Sequence, residues 1–122
     1  MGKRILIADD DPGWRQVLTR VVEPDCSVVA YVERGDEVAA AAEFHRPDVI
    51  TLDIGMPGKS GLKALSEIRE LLPDALIVIV TSSIDPRYRE EAVRRGADAY
   101  IAKSRVFTEF KAELSPPAVA MG

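Results

Sequence analysis

The sequence predicts an α/β domain in which five parallel strands form a doubly wound sheet with five helices on its two faces. Short apolar blocks rich in Ile and Val recur along the chain without alternating polar residues, which is typical of strands covered on both faces. Stretches with helical periodicity separate these blocks, and the connections are short. Strict alternation of strand and helix favours a parallel sheet with right-handed crossovers.

Size and charge limit the functions that the chain can have. Its 122 residues allow one hydrophobic core, predicted at residues 1–114, and the double proline after residue 115 predicts a loose tail at 115–122. A formal net charge of −4 provides no positive field for nucleic acid or an anionic membrane. The first nine residues are too poor in apolar side chains for a signal peptide or a spanning helix, so we expect a cytoplasmic protein.

Five apolar blocks predict the strands, at residues 5–8, 28–32, 49–52, 75–80 and 100–102. Between and after them, apolar residues at helical spacing predict the buried faces of five helices. These residues are Trp14, Val17, Leu18 and Val21, then Val38, Ala41 and Ala42, then Leu62, Leu65, Ile68 and Leu72, then Ala92 and Val93, and finally Phe107, Phe110 and Leu114. Pro12 marks a helix start and Gly96 a helix end.

Polar residues follow the apolar blocks. Asp9, Asp10 and Asp11 follow the first, Asp53 the third, Thr81 the fourth and Lys103 the fifth. The carboxyl ends of parallel strands share one edge of the sheet, where such folds bind their ligands. Each residue alone also has a structural interpretation, because Asp11 before Pro12 is a good helix cap, Thr81 can cap a strand and Lys103 can be solvated.

A cation would relieve the repulsion expected among Asp9, Asp10 and Asp53. An all-oxygen ligand set suits Mg²⁺, whereas zinc lacks its usual ligands here. His45 stands alone at the end of the second helix, and the single Cys26 is interpreted as a small, half-buried apolar residue.

Several reaction classes are excluded. The sequence has neither a glycine-rich phosphate-binding loop nor a G-x-S-x-G nucleophile motif, and its one histidine is badly placed for a catalytic triad. The remaining possibility is an aspartate nucleophile that forms an acyl phosphate, assisted by a metal ion and a cationic side chain.

Four segments, residues 5–12, 48–61, 79–82 and 96–103, resemble the receiver domain of bacterial two-component response regulators. The resemblance covers residues 3–114. It implies a flavodoxin-like sheet of strand order 2-1-3-4-5 and a signalling domain that catalyses only its own Mg²⁺-dependent phosphorylation and dephosphorylation.

The resemblance also implies roles for individual residues. Asp53 would accept the phosphoryl group, and Mg²⁺ would be held by Asp10, by Asp9 largely through water, by Asp53 and by the backbone carbonyl of Gly55. Thr81 and Lys103 would bind the phosphoryl group, Tyr100 would turn inward on activation, and Asp11 would be an auxiliary acid. Ser104 stands where the family usually has proline, so we expect a trans peptide and an altered loop after Lys103.

The implied partners are a sensor histidine kinase or phosphotransfer protein, and a downstream effector or second copy that binds the face of the fourth helix, fifth strand and fifth helix. No direct contact with nucleic acid or a membrane is expected. One alternative is a receiver-like interaction module that is never phosphorylated. A second is an aspartate-nucleophile phosphatase, which needs another aspartate where this sequence has Gly55.

Overall fold

The computed structural model describes residues 2–23, 25–83 and 85–114, and within these ranges five strands and five helices alternate. The strands are β1 (Lys3–Ala8), β2 (Cys26–Val32), β3 (Val49–Leu52), β4 (Leu76–Thr81) and β5 (Ala99–Ala102). The helices are α1 (Pro12–Val22), α2 (Val38–His45), α3 (Gly61–Leu71), α4 (Pro86–Arg94) and α5 (Val106–Leu114). Short 3-10 turns at Gly35–Glu37 and Lys103–Arg105 precede α2 and α5. The tail predicted at 115–122 lies outside the described residues.

The strands form one parallel sheet of order β2-β1-β3-β4-β5, which confirms the predicted fold. The central strand is therefore β3, and β2 and β5 form the two edges. The pairing of β1 with β2 contains a bulge, because Ile5 pairs with Val28 while Leu6 pairs with Ala30. Val29 is the extra residue of that bulge.

Alternate residues of each strand pack against helices on opposite faces of the sheet. Ile5 and Ile7 contribute to the core beneath α1 and α5, whereas Leu6 and Ala8 contribute to the core beneath α2, α3 and α4. All four side chains are at most 1% exposed. None of the described helices has the length and apolar character needed to cross a bilayer.

The helix boundaries follow from local chemistry. The side chain of Asp11 accepts a hydrogen bond from the backbone N–H of Gly13 (2.8 Å), and Pro12 occupies the first turn of α1. Asp85 and Pro86 start α4 in the same way. After α4, Gly96 adopts a φ of 109°, a left-handed conformation that glycine accommodates without strain.

Two residues predicted to face the core are instead exposed. Val93 is 60% exposed because Ala92 is the buried residue of α4, and one residue further along a helix rotates the side chain by about 100°. Phe107 is 69% exposed because Val106 and Phe110, four residues apart, form the buried line of α5. The predicted inward orientation of Val93 and Phe107 is therefore wrong.

Candidate functional site

Four of the predicted site residues meet at the carboxyl edge of the sheet. Asp9 follows β1, Asp53 follows β3, Thr81 ends β4, and Lys103 follows β5. All four are buried, with exposed fractions between 1% and 8%. Buried polar side chains of this kind need partners, so their contacts define what the site can do.

Asp9, Asp10 and Asp53 form a carboxylate cluster in which one oxygen from each residue lies within 4.8 Å of the others. Burial raises the pKa of the Asp9 carboxyl, and the negative charge of Asp53 adds to this rise. Two contacts oppose it, the hydrogen bond from the backbone N–H of Asp11 at 2.9 Å and the ion pair with Lys103. Asp10 is exposed and forms the solvent side of the cluster.

Lys103 neutralises part of this negative charge. Its Nζ lies 2.9 Å from Oδ2 of Asp9 and donates a hydrogen bond to Oδ2 of Asp53 at 3.0 Å. Burial works to lower the pKa of Lys103, but its contacts with Asp9 and Asp53 outweigh burial and raise the pKa overall. The interpretation of Lys103 as a solvated surface residue is therefore wrong.

The donor set fits a divalent metal ion. Three carboxylates and one ammonium leave two net negative charges, which a divalent cation would neutralise. The carboxylates are hard oxygen ligands, and the exposure of Asp10 leaves room for coordinated water, as Mg²⁺ requires.

The loop of residues 54–60 places Gly55 beside the cluster. The backbone N–H of Gly55 donates to Oδ1 of Asp53 at 3.2 Å, and the residue is exposed. Gly35 supports this loop, because its N–H donates to the carbonyl of Pro57 at 3.0 Å. A Cβ at Gly35 would lie 1.5 Å from the carbonyl oxygen of Lys59, so only glycine permits this close approach.

Thr81 and Tyr100 are connected through one backbone segment. The Oγ1 of buried Thr81 accepts a hydrogen bond from the N–H of Ser83 at 3.3 Å, and the hydroxyl of Tyr100 donates to the carbonyl of Ser83 at 3.4 Å. Tyr100 is half-buried, and this burial raises the pKa of its phenol. Ser83 is therefore in contact with both Thr81 and Tyr100.

Asp11 does not join the carboxylate cluster. It is exposed, and its side chain caps α1. Its backbone N–H, rather than its carboxylate, contacts Asp9. The structure thus supports the helix-cap interpretation of Asp11.

Sequence reasoning missed two residues in the first turn of α1. Nη1 of Arg15 donates to the backbone carbonyl of Asp9 at 2.8 Å, and the ring centroid of Trp14 lies 5.0 Å from Nζ of Lys103. Helical periodicity predicted only that Trp14 faces the core. The one signal that could have found both residues is their position in the first helical turn after the acidic run.

Comparisons with known proteins agree with this fold. The family described as response regulator receiver domain matches residues 5–115. The chemotaxis protein CheY of Halobacterium salinarum is 34% identical over 103 residues, which cover 84% of this chain and 86% of that protein. The oxygen regulatory protein NreC of Staphylococcus epidermidis is 39% identical over 104 residues, which cover 83% of this chain and 48% of that protein. The chain therefore spans about half the length of NreC.

A solved structure supports the same relationship. The crystal structure of a DNA-binding response regulator of the LuxR family from Staphylococcus aureus has a TM-score of 0.84 and 32% sequence identity, and the match covers 92% of this chain and 95% of that one. Fold and site together define a signalling domain with three carboxylates grouped at one edge of its sheet. The chain belongs to the receiver domain family of two-component response regulators.

Proposed function

We propose that Asp53 accepts a phosphoryl group from a histidine kinase or a phosphotransfer protein. The main support is the 3.0 Å contact between Oδ2 of Asp53 and Nζ of Lys103 at the edge of the carboxylate cluster. The ammonium lies against the carboxylate on which the charge of an incoming phosphoryl group would develop. Because β3 is the central strand, Asp53 has site residues on both sides.

In the transfer step, an oxygen of Asp53 attacks the phosphorus of a phosphohistidine. The new O–P bond forms as the P–N bond breaks, and the imidazole nitrogen leaves with the electron pair of that bond. Lys103 opposes the negative charge of the transferred group. Mg²⁺ held by Asp9, Asp10, Asp53 and the carbonyl of Gly55 would supply further charge neutralisation. Hydrolysis of the acyl phosphate then returns the carboxylate, so the chain acts only on itself.

Acetyl phosphate with Mg²⁺ tests this proposal, with the product measured by intact mass spectrometry. We expect the gain of one phosphoryl group in the natural chain and no gain in Asp53→Asn. The matched control is Asp11→Asn, which keeps a good helix cap and should be phosphorylated normally. Phosphorylation of Asp53→Asn would contradict the assignment. A natural chain that gains no mass would favour the alternative of an interaction module that works without phosphate.

The phosphatase alternative has less support. It requires an aspartate two residues after the nucleophile, and that position is Gly55, where an added Cβ would meet no atom within 4 Å. Gly55 has no side chain, so this position supplies no acid to protonate a leaving group.

The proposal also includes a switch in which Thr81 and Lys103 bind the phosphoryl group. Movement of Thr81 would loosen Ser83 and let Tyr100 turn inward. The change would appear on the face of α4, β5 and α5, where a groove of about 410 Å³ contains Ser83, Asp85, Arg89, Tyr100, Arg105 and Glu109 in its lining. These acidic and basic groups suit a charged effector surface or a second copy of the chain.

Beryllofluoride with Mg²⁺, used as a mimic of the phosphoryl group, tests the switch by NMR. Amide shifts should extend from Asp53 through Thr81 to Tyr100 and α4. In Thr81→Ala they should stop before Tyr100. Shifts that stay within the loops around the carboxylate cluster in the natural chain would contradict the switch.

The domain boundaries and setting belong to the same proposal. Residues 1–114 form the receiver domain and 115–122 a tail. Its partners are the phosphoryl donor and an effector or second copy, without direct binding of nucleic acid or membrane, and it acts in the cytoplasm. The net charge of −4 supports the absence of binding to nucleic acid or an anionic membrane. The family membership supports the domain boundaries, the partners and the cytoplasmic setting.

A further inference from the structure

The ammonium of Lys103 has an aromatic partner in addition to its two carboxylates. Its Nζ lies 5.0 Å from the centroid of the Trp14 ring, within the range at which the face of an indole attracts a cation. The Lys103 side chain is only 9% exposed, so little water competes for this contact. The indole is therefore part of the immediate surroundings of the charge that faces Asp53.

The position of the Trp14 ring is fixed by the same backbone that positions Asp9. Trp14 lies in the first turn of α1 and packs against the core formed with Ile5 and Ile7 of β1. The neighbouring Arg15 donates from Nη1 to the backbone carbonyl of Asp9 at 2.8 Å. The first turn of α1, which carries Trp14, is thus attached to the end of β1.

We propose that Trp14 is a positioning residue that keeps the ammonium of Lys103 at the phosphoacceptor throughout the phosphorylation cycle. This inference rests on the proposed phosphorylation of Asp53. A metal ion on the cluster would share the charge of Asp9 and Asp53, and phosphorylation would convert an oxygen of Asp53 into an acyl phosphate. Metal binding would weaken the contacts with Asp9 and Asp53 that now hold Lys103, and phosphorylation would replace its contact with Asp53 by one with the phosphoryl group. The indole is uncharged, and its attraction for the ammonium persists through each of these changes.

A packing role alone would predict something different. If Trp14 only covered apolar surface of α1 and the stem of Lys103, leucine at this position would support phosphorylation almost as well. Any other substitution that destabilises α1 to the same extent would then slow phosphorylation equally. If the ring holds the ammonium, a second aromatic residue should restore part of the function, because the face of phenylalanine also attracts cations.

The kinetic test compares rates of phosphorylation by acetyl phosphate at saturating Mg²⁺ in Trp14→Leu, Trp14→Phe and Val17→Ala. Val17 lies on the same helix and packs against the same core, so its variant is the control for a weakened α1. We expect Trp14→Leu to be slower by about three- to tenfold, the range that a cation–π contact supports. Trp14→Phe should be intermediate, and Val17→Ala should keep the natural rate.

A spectroscopic test does not depend on phosphorylation. In chains with ¹³C-labelled lysine, the ε-methylene signal of Lys103, assigned by its loss in Lys103→Arg, should lie upfield because of the indole ring current. The upfield shift should persist with beryllofluoride and Mg²⁺ and disappear in Trp14→Leu. Its absence in the natural chain would overturn the inference.

The two proposals fail in different ways. A natural chain that acetyl phosphate never labels overturns both the phosphorylation of Asp53 and the role of Trp14. If the natural chain is labelled normally, two results would overturn the role of Trp14 alone. One is that Trp14→Leu is labelled at the same rate as the natural chain, and the other is that Val17→Ala is slowed as much as Trp14→Leu.

Discussion

Lys103 should affect the binding of a metal ion and of a phosphoryl group in opposite directions. Its ammonium contacts Asp9 and Asp53, two members of the carboxylate cluster. A phosphoryl group is attracted by this positive charge, whereas a metal cation entering the cluster is repelled by it. One side chain therefore sets a balance between the two ligands of the site.

Replacing Lys103 by Met should separate these effects. We expect Lys103→Met to lose most of its phosphorylation by acetyl phosphate while binding Mg²⁺ about tenfold more tightly, because the repulsive charge is gone. Isothermal titration calorimetry and intact mass measure the two quantities. Lys63→Met, which changes an exposed lysine on α3, is the control and should alter neither. Weaker Mg²⁺ binding by Lys103→Met would contradict this account of the charge balance.

Cys26 should give the stability of the protein a specific pH dependence. Burial raises the pKa of its thiol, and the negative charge of Asp25 contributes to the rise. The thiol of the unfolded chain ionises first as the pH increases, near its ordinary pKa of about 8.5. The stability that the buried neutral thiol provides is therefore complete below that pH and is lost as the pH rises through the raised pKa.

Chemical denaturation between pH 7 and 10 measures this dependence. The free energy of unfolding of the natural chain should fall more steeply above pH 8.5 than that of Cys26→Ala, which lacks the thiol. The comparison cancels the titration of tyrosines and lysines, which both chains share. Equal slopes would show that the Cys26 thiol titrates alike in the folded and unfolded states.

The sequence predicted the buried polar residues of the site but missed their neighbours Trp14 and Arg15. Asp9, Asp53 and Lys103 were found because a polar residue directly after an apolar strand has a defined position in a parallel sheet. The contact of Trp14 with Lys103 depends on how α1 packs across two strands. The spacing of apolar residues along the sequence does not predict how a helix packs across a sheet, and so this contact was seen only in the structure.

Arg69 joins two connections at the amino edge of the sheet, the one between α3 and β4 and the one between α4 and β5. Its guanidinium donates to the carbonyl of Gly96 after α4, at 2.7 and 3.0 Å, and to the carbonyl of Ala75 before β4 at 2.8 Å. It also forms an ion pair with Asp98 at 2.6 Å, and that carboxylate accepts a hydrogen bond from the N–H of Ile77. One side chain of α3 thus stabilises the start of β4 and the approach to β5.

Removing the Arg69 guanidinium should destabilise the fold without affecting phosphorylation. We expect Arg69→Met to lower the free energy of unfolding by about 2–3 kcal/mol, because it removes the hydrogen bonds to the carbonyls of Ala75 and Gly96 and the ion pair with Asp98. Acetyl phosphate labelling should be unchanged, since these contacts lie at the edge opposite Asp53. Urea denaturation measures the loss. Arg20→Met, which changes an exposed arginine in the last turn of α1, should cost far less. An equal cost would argue against a special role for Arg69.

Strands and helix starts were easier to predict than the orientation of the outer helices. A continuous apolar block such as 49–52 is hard to interpret as anything but a buried strand, and Pro12 after the acidic run marks where α1 begins. Val93 and Phe107 were assigned to the core because apolar residues were assumed to face inward. A helix that covers the margin of a five-stranded sheet buries a narrow stripe, so some of its apolar residues stay in solvent.

Metal binding should stabilise the whole fold, because the carboxylate cluster exists only when the ends of β1 and β3 are adjacent. At Mg²⁺ concentrations about 100 times the Kd, we expect a gain of about 2.7 kcal/mol, which is roughly an 8 °C rise in Tm for a domain of this size. Differential scanning calorimetry measures the shift. Asp10→Ala should remove most of it, and the control Asp74→Ala, an exposed acid at the opposite edge, should retain it. An equal rise in all three chains would contradict binding at the cluster.

The bulge in β2 also has a consequence for how the protein behaves when it is concentrated. β2 is an outer strand with the apolar sequence CSVVAYV, and such an edge can recruit a strand from another molecule. The extra Val29 increases the local twist, so an incoming straight strand cannot match the hydrogen bonds along the full edge. Deleting Val29 would either restore regular pairing or turn residues 26–28 to the opposite face. The bulge therefore makes the free edge of β2 a poor template for a strand of a second molecule.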